Sequence, residues 1–91
     1  MKERFGRKGT EVKGIFFTEG QFDNCTFIGD AATTSQQQNI SLDILKERLA
    51  DEAISKGANA IDNFKYVQKA TIFSFSDTKW VVTGRFVAAT D

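Results

Sequence analysis

The clearest pattern of apolar and polar positions lies in residues 41–60 (SLDILKERLADEAISKGANA). Apolar residues recur there at steps of three and four, which is typical of one stripe of a helix. Ser41 is suited to cap the first turn, and Gly57 is suited to the left-handed residue that follows a helix. The pattern therefore predicts one amphipathic helix. Its apolar stripe contains Leu42, Leu45, Leu49 and Ala53, with Ala50 and Ile54 at the margins.

Blocks rich in Phe, Val, Ile and Thr flank this helix and predict strands. Two blocks precede it, at residues 11–18 and 25–34, and two follow it, at 58–75 and 80–89. Residues 76–79 (SDTK) have the composition of a hairpin turn. We therefore expect an α+β fold in the order β-β-α-β-β. It would be a small sandwich in which one helix packs on one face of an antiparallel sheet of three to four strands.

The first ten residues differ from the rest of the chain in composition. Residues 1–10 are charged and glycine-rich, and Phe5 is the only large apolar side chain they offer for burial after Met1. Such a segment is typical of a mobile terminus. We therefore expect a mobile basic tail at 1–10 and a single α+β domain at 11–91, and we expect deletion of residues 1–8 to leave the fold intact.

The last two predicted strands do not keep the alternation of apolar and polar residues expected of a half-buried sheet. Either a bulge shifts the phase near residues 67–71, or both faces of the sheet are partly buried. One helix covers one face only, so a chain with nine Phe leaves apolar surface that a partner would bury. We expect self-association through the sheet face away from the helix, using Phe73, Phe75 and Val81.

Composition restricts the partners and the chemistry. Twelve basic and twelve acidic side chains cancel, which argues against nucleic acid as the main partner. No apolar run approaches the length needed to span a membrane. MKERFGRKG is basic but has no apolar segment behind it, so it is not a signal peptide as it stands. The compartment stays open: cytoplasmic if Met1 is the natural start, and periplasmic or lipid-anchored if a leader was removed.

The absence of histidine from the sequence removes the most common general base and metal ligand. Cys25 is the single thiol and is expected to act as a small buried apolar residue. A set of Asp23, Cys25 and Asp30 suits few metals, since it lacks imidazole. We therefore expect no enzyme activity, no metal site and no cofactor. A weaker alternative is a ligand surface of aromatic and cationic side chains: Tyr66, Trp80 and Arg85.

Three segments resemble the YbjQ-like proteins in order and spacing: FIGDAA at 27–32, LADEAISKGANAI at 49–61 and VVTGRFV at 81–87. The resemblance covers residues 22–89. It implies an α+β fold and small rings, pentamers in several members, in a family labelled heavy-metal-binding without established chemistry. Since this chain has no His and one thiol, the metal-binding part of that expectation does not carry over.

The same order of elements also resembles periplasmic stress proteins of the BhsA/YdgH type and the RcsF-like lipoproteins, although the paired cysteines of the latter are missing. Three functions stay open. The first is a non-enzymatic bacterial domain that self-assembles or binds a partner through its sheet. The second is a monomeric envelope or stress-response binding module. The third is a metal- or small-ligand-binding protein.

Overall fold

The structure is a computed structural model that describes residues 2–35, 41–71 and 74–90. It contains one helix, α1 (Leu42–Lys56), and six strands in the described residues. The strands are β1 (Lys2–Arg4), β2 (Arg7–Val12), β3 (Ile15–Phe17), β4 (Cys25–Ser35), β5 (Ala60–Thr71) and β6 (Ser74–Ala89).

All six strands belong to one sheet in the order β1-β2-β3-β5-β6-β4. The neighbours pair antiparallel, except β3 and β5, which pair parallel. The predicted α+β class, with one helix packed on a mostly antiparallel sheet, is confirmed. In the described part of the chain the sheet has six strands rather than three or four, because residues 2–17 form three strands where the sequence predicted a tail and one strand.

Helix α1 begins and ends as the sequence predicts. The Ser41 hydroxyl accepts a hydrogen bond from the Ile44 amide at 3.3 Å, which satisfies one of the unpaired donors of the first turn. Gly57 takes a left-handed conformation with φ of 80° at the other end. The buried face consists of Leu45, Leu49, Ala50 and Ala53. Ile54, placed at the margin of the stripe by its spacing, is instead 54% exposed.

Residues 2–10, where the sequence predicted a tail, instead lie in β1 and β2, because two tight turns fold them onto the sheet. Phe5 and Gly6 have φ of 54° and 78° between β1 and β2, and Lys13 and Gly14 have φ of 53° and 83° between β2 and β3. Two consecutive residues with positive φ are typical of two-residue hairpin turns whose twist matches that of the strands. Gly14 therefore reverses the chain instead of interrupting a single strand.

Side-chain contacts hold this N-terminal hairpin in place. The Phe5 ring packs edge-on against Phe16 and Phe22, at centroid distances of 6.3 and 5.6 Å. The Glu11 carboxylate accepts a hydrogen bond from the Lys2 ammonium at 2.7 Å and another from the Arg4 guanidinium. These hydrogen bonds, that of Lys2 first and that of Arg4 second, lower the pKa of Glu11. A segment with the composition of a tail can thus form strands when one of its aromatic rings packs against the rings of the sheet.

Apolar side chains form clusters on both faces of the sheet. The larger cluster lies between the sheet and α1 and includes Phe17, Ile61, Phe64, Val82 and Phe86. The smaller one lies on the opposite face and consists of Phe16, Phe22, Ala60, Val87 and Ala89, with Phe5 and Cys25 packed against it. The chain therefore covers part of the second face itself, which reduces the apolar surface left for a partner.

Irregular pairing explains the broken alternation of the last two strands. The β5–β6 register shifts between Asp62 and Lys65, where Asn63 has a φ of 50°, and again between Ala70 and Thr71. The predicted bulge and the predicted burial on both faces therefore both occur, although the first shift lies earlier than expected. Residues 76–79 do not form the hairpin turn. They lie within β6, and the pairing of Lys69 with Lys79 extends the ladder through them.

We expect Phe5→Ala to lower the free energy of unfolding by about 1–2 kcal/mol, part of the value of burying a Phe completely. This expectation replaces the sequence-based one that the segment is dispensable. Chemical denaturation measures the change. Ile44→Ala is the control, since that apolar side chain is 43% exposed on the helix. An equal loss in the two variants would contradict a packing role for Phe5.

Candidate functional site

The two faces of β6 separate the residues predicted to form a ligand surface. Trp80, Val82 and Phe86 pack in the cluster under α1, whereas Val87 and Ala89 belong to the cluster on the opposite face. Because side chains alternate along a strand, Arg85 lies on the face opposite to Trp80. Tyr66 pairs with Val82 in the ladder and so shares the face of Trp80. The structure therefore brings Tyr66 and Trp80 together and places Arg85 elsewhere.

Tyr66 and Trp80 end a row of four aromatic rings on the helix side of the sheet. The row begins with Phe17, whose centroid lies 5.3 Å from that of Phe64. Phe64 lies 5.9 Å from Tyr66, and Tyr66 lies 6.1 Å from Trp80. Phe17 and Phe64 are buried, and Tyr66 is 44% exposed. The row thus extends from the core beneath the helix to an aromatic surface that a ligand can reach.

Arg85 forms an ion pair with a buried carboxylate that the sequence did not predict. Its Nε and Nη2 atoms donate to the two oxygens of Asp62 at 2.8 and 2.6 Å. Asp62 is completely buried and also accepts from the Phe22 amide at 3.3 Å. Hydrogen bonding to this carboxylate raises the pKa of Arg85. The guanidinium also lies 5.7 Å from the centre of the Phe27 ring. Arg85 is therefore engaged within the protein instead of presented to a ligand.

A cleft of 380 Å³ opens between the first turns of α1, strand β2, the segment after β3 and the middle of β5. Its lining combines buried aromatic rings with cationic side chains. The residues that line it are Arg7, Lys8, Gly9, Thr10, Phe17, Thr18, Glu19, Gly20, Leu42, Lys46, Phe64 and Tyr66.

Lys46 lies at the wall of this cleft, against two aromatic rings. Its Nζ lies 5.3 Å from the centre of the Phe64 ring and 5.8 Å from that of Phe17, and it donates to the Thr10 hydroxyl at 3.1 Å. A cation over an aromatic face is stabilised by the quadrupole of the ring. In the helical pattern, Lys46 falls outside the apolar stripe of α1. The aromatic rings of β3 and β5 instead hold it at the margin of the core, and helical periodicity contains no signal of that contact.

The residues predicted to form an oligomer interface are only partly described. Phe73 lies outside the described residues, and the side chain of Phe75 is likewise not described. Val81 is partly buried and lies opposite Val67 in the ladder, on the face away from α1. Val67 is 48% exposed. Val81 is therefore the one member of the predicted interface whose side chain is described, and Val67 is its apolar neighbour in the ladder.

No group of three or more Cys, Asp or Glu side chains in the described part of the chain is arranged to hold a metal ion. Of the predicted set, Asp23 makes an ion pair with Arg7 at 3.3 Å, and Cys25 contacts the second apolar cluster. Asp30 lies opposite Arg85 in the β4–β6 ladder. In the described part of the chain, the helix α1 is not long and apolar enough to cross a membrane.

Comparison with known proteins gives a fold but no family. No family model matches the chain, and no curated protein matches it. Among solved structures, the chain is similar to the crystal structure of a protein of unknown function from Pediococcus pentosaceus ATCC 25745 that belongs to the DUF74 family. The two chains are 22% identical with a TM-score of 0.57, over 86% of this chain and 100% of the other. The resemblance to YbjQ-like proteins stays a prediction, and what the comparison establishes is that this chain has a fold similar to that of a DUF74 protein.

Proposed function

We propose that this chain is a small non-enzymatic domain that self-assembles through the face of its sheet away from α1. The observation that carries the proposal is the uneven cover of that face. Three rings, Phe5, Phe16 and Phe22, cover one half of that face. This half lies where β5 begins and β6 ends, next to the ladder pair of Ala60 and Val87. Further along the same strands, Val67 is 48% exposed beside Val81.

Exposed apolar pairs on a sheet face favour burial against another protein surface. Phe27, 53% exposed above Arg85, adds a second apolar point to this face. A second copy of the chain is the proposed partner, because an identical face provides the same apolar side chains. The Arg85 guanidinium, which lies over the Phe27 ring, is already neutralised by Asp62.

The non-enzymatic part of the proposal is supported by the state of the buried carboxylate. Asp62 is the completely buried acid in the described residues, and an isolated carboxylate of that kind is a candidate base. Here both oxygens accept hydrogen bonds from Arg85, and one also accepts from the Phe22 amide. A structural ion pair therefore explains Asp62 without invoking catalysis.

The test is the oligomeric state, measured by light scattering after size-exclusion chromatography and by native mass spectrometry. We expect the wild-type protein to associate at high micromolar concentration. Val67→Lys should shift it toward monomer, since a charge at the centre of an apolar contact must be desolvated. Ile54→Lys is the matched control, because Ile54 is 54% exposed on the helix, outside the proposed interface, and should leave association unchanged.

A wild-type protein that stays monomeric at these concentrations would contradict self-assembly. That result would favour the alternative of a monomeric envelope or stress-response module that uses the same face for a different partner. Equal effects of Val67→Lys and Ile54→Lys would show that the assembly uses another surface.

A further inference from the structure

The cleft beside α1 contains an ammonium group without an acidic partner in the described residues. Lys46 Nζ contacts two aromatic faces and one hydroxyl, and it makes no ion pair with a described carboxylate. Lys56, on the same helix, also lies over a ring, at 5.9 Å from the centre of Phe86, but it does not line the cleft. A charge held at the wall of a concave site attracts an opposite charge more strongly than one on open surface.

The other charged groups of the lining leave the cleft net positive. Lys8 is exposed on the strand that forms one wall. Arg7 is engaged by the loop after β3, since it donates to the Gln21 carbonyl at 2.9 Å and pairs with Asp23. Among the described residues, Glu19 is the single carboxylate of the lining, and it is itself exposed. Lys46 and Lys8 are therefore the cations that remain for an anionic group.

The remaining walls favour a flat apolar body. Phe17 and Phe64 form a buried aromatic floor, and the Tyr66 ring continues from Phe64 at 5.9 Å with 44% of its surface exposed. Aromatic rings pack against such surfaces in offset or tilted geometry. A volume of 380 Å³ lies within the range of about 300–1,000 Å³ typical of small-molecule sites.

We propose that this cleft binds a small organic anion that carries a planar aromatic ring. The anionic group pairs with Lys46 and Lys8, and the ring lies against Tyr66 and the edge of the Phe64 ring. A carboxylate and a phosphate satisfy the two cations by the same chemistry. The site lies on the helix side of the sheet, so it operates independently of assembly through the opposite face.

Calorimetric titration of the full chain with four probes tests the ligand class. The probes are 2-naphthoate, 2-naphthyl phosphate, the neutral alcohol 2-naphthalenemethanol and the ringless anion acetate. We expect one equivalent of at least one naphthyl anion to bind about tenfold more tightly than either the alcohol or acetate, a factor that corresponds to about 1.4 kcal/mol. The stronger of the two naphthyl anions identifies the preferred anionic group.

Variants assign the binding to this cleft. Lys46→Gln should weaken the naphthyl anion about tenfold and remove its advantage over the alcohol, and Lys46→Arg should retain that advantage. Lys56→Gln, the matched lysine outside the cleft, should change neither. Tyr66→Ala should weaken all three naphthyl probes, whereas Phe27→Ala, an exposed aromatic elsewhere, should weaken none of them. Circular dichroism checks that each variant is folded.

Three results would overturn the proposal. The first is equal affinity of the wild-type protein for the naphthyl anions and the alcohol. The second is equal loss in Lys46→Gln and Lys56→Gln. The third is no binding of either anion at millimolar concentration. None of these results depends on the oligomeric state, so failure of the ligand proposal and failure of self-assembly are distinguishable.

Discussion

Replacing Arg85 with methionine is expected to lower the free energy of unfolding by about 3–5 kcal/mol, the usual cost of removing one partner of a buried ion pair. The reason is an asymmetry in exposure: the Asp62 side chain is completely buried, whereas that of Arg85 is 26% exposed. Loss of Arg85 leaves a carboxylate that water cannot reach. Loss of the Asp62 charge leaves a guanidinium that can turn toward solvent, so Asp62→Asn should cost less. Urea denaturation measures both changes.

Two further variants separate the charge effect from packing. The double variant Asp62→Asn, Arg85→Met should be more stable than Arg85→Met alone, because it removes the stranded charge. Lys13→Met disrupts an ion pair with Asp51 whose partners are 45% and 61% exposed, and it should cost less than about 1 kcal/mol. If Arg85→Met lowers the free energy of unfolding no more than Lys13→Met does, the pair of Arg85 and Asp62 does not stabilise the fold.

Leu49→Ala is expected to cost about 2–5 kcal/mol, the range for truncating a buried leucine. Leu49 is completely buried in the cluster between α1 and the sheet, and the same holds for Leu45. The loss combines the transfer of the removed methyl groups with the cavity that remains. Thermal and chemical unfolding of the variant measure it.

The exposed helix position Ile54 provides the control for this prediction. Ile54→Ala should change stability by less than about 0.5 kcal/mol, as is typical of surface positions. If Leu49→Ala lowers the free energy of unfolding as little as Ile54→Ala is expected to, the buried and exposed faces of α1 have been assigned the wrong way round.

The helix was predictable because its signals are local. Ser41 and Gly57 cap it as expected, and the three-four spacing of its leucines identifies the buried face. Ile54 was misassigned since periodicity gives the angle of a residue around the axis but not the width of the sheet it faces. The edge of the stripe is therefore set by the partner surface and not by the helix sequence.

The number of strands was predicted too low because the two N-terminal hairpin turns carry weak sequence signals. Phe5-Gly6 and Lys13-Gly14 are X-Gly pairs at hairpin turns, yet neither X is the Asn or Asp that marks such turns most clearly. Asn63 adopts a positive φ inside β5 and shifts the register there. An Asn within an otherwise regular strand is the kind of residue that tolerates this conformation, so a bulge at that position was a readable signal.

The candidate ligand residues were predictable in part. Tyr66 and Trp80 meet because the hairpin of β5 and β6 places them on one face. Arg85 is five positions from Trp80 on the same strand, and an odd separation already places two side chains on opposite faces. The pairing of Arg85 with Asp62 required the register between β5 and β6, which the bulge at Asn63 determines and which composition does not contain.

The position of β4 in the sheet has a consequence for how the chain folds. β4 is made before α1, yet it lies at the edge and pairs with β6, the last strand of the chain. More than half of the sequence separates the partners Cys25 and Ala89, so the closure of this loop comes with a large loss of chain entropy. During synthesis, residues 25–35 have no strand partner until β6 has been made. The interval before β6 arrives is thus the stage at which this small domain is most exposed to aggregation.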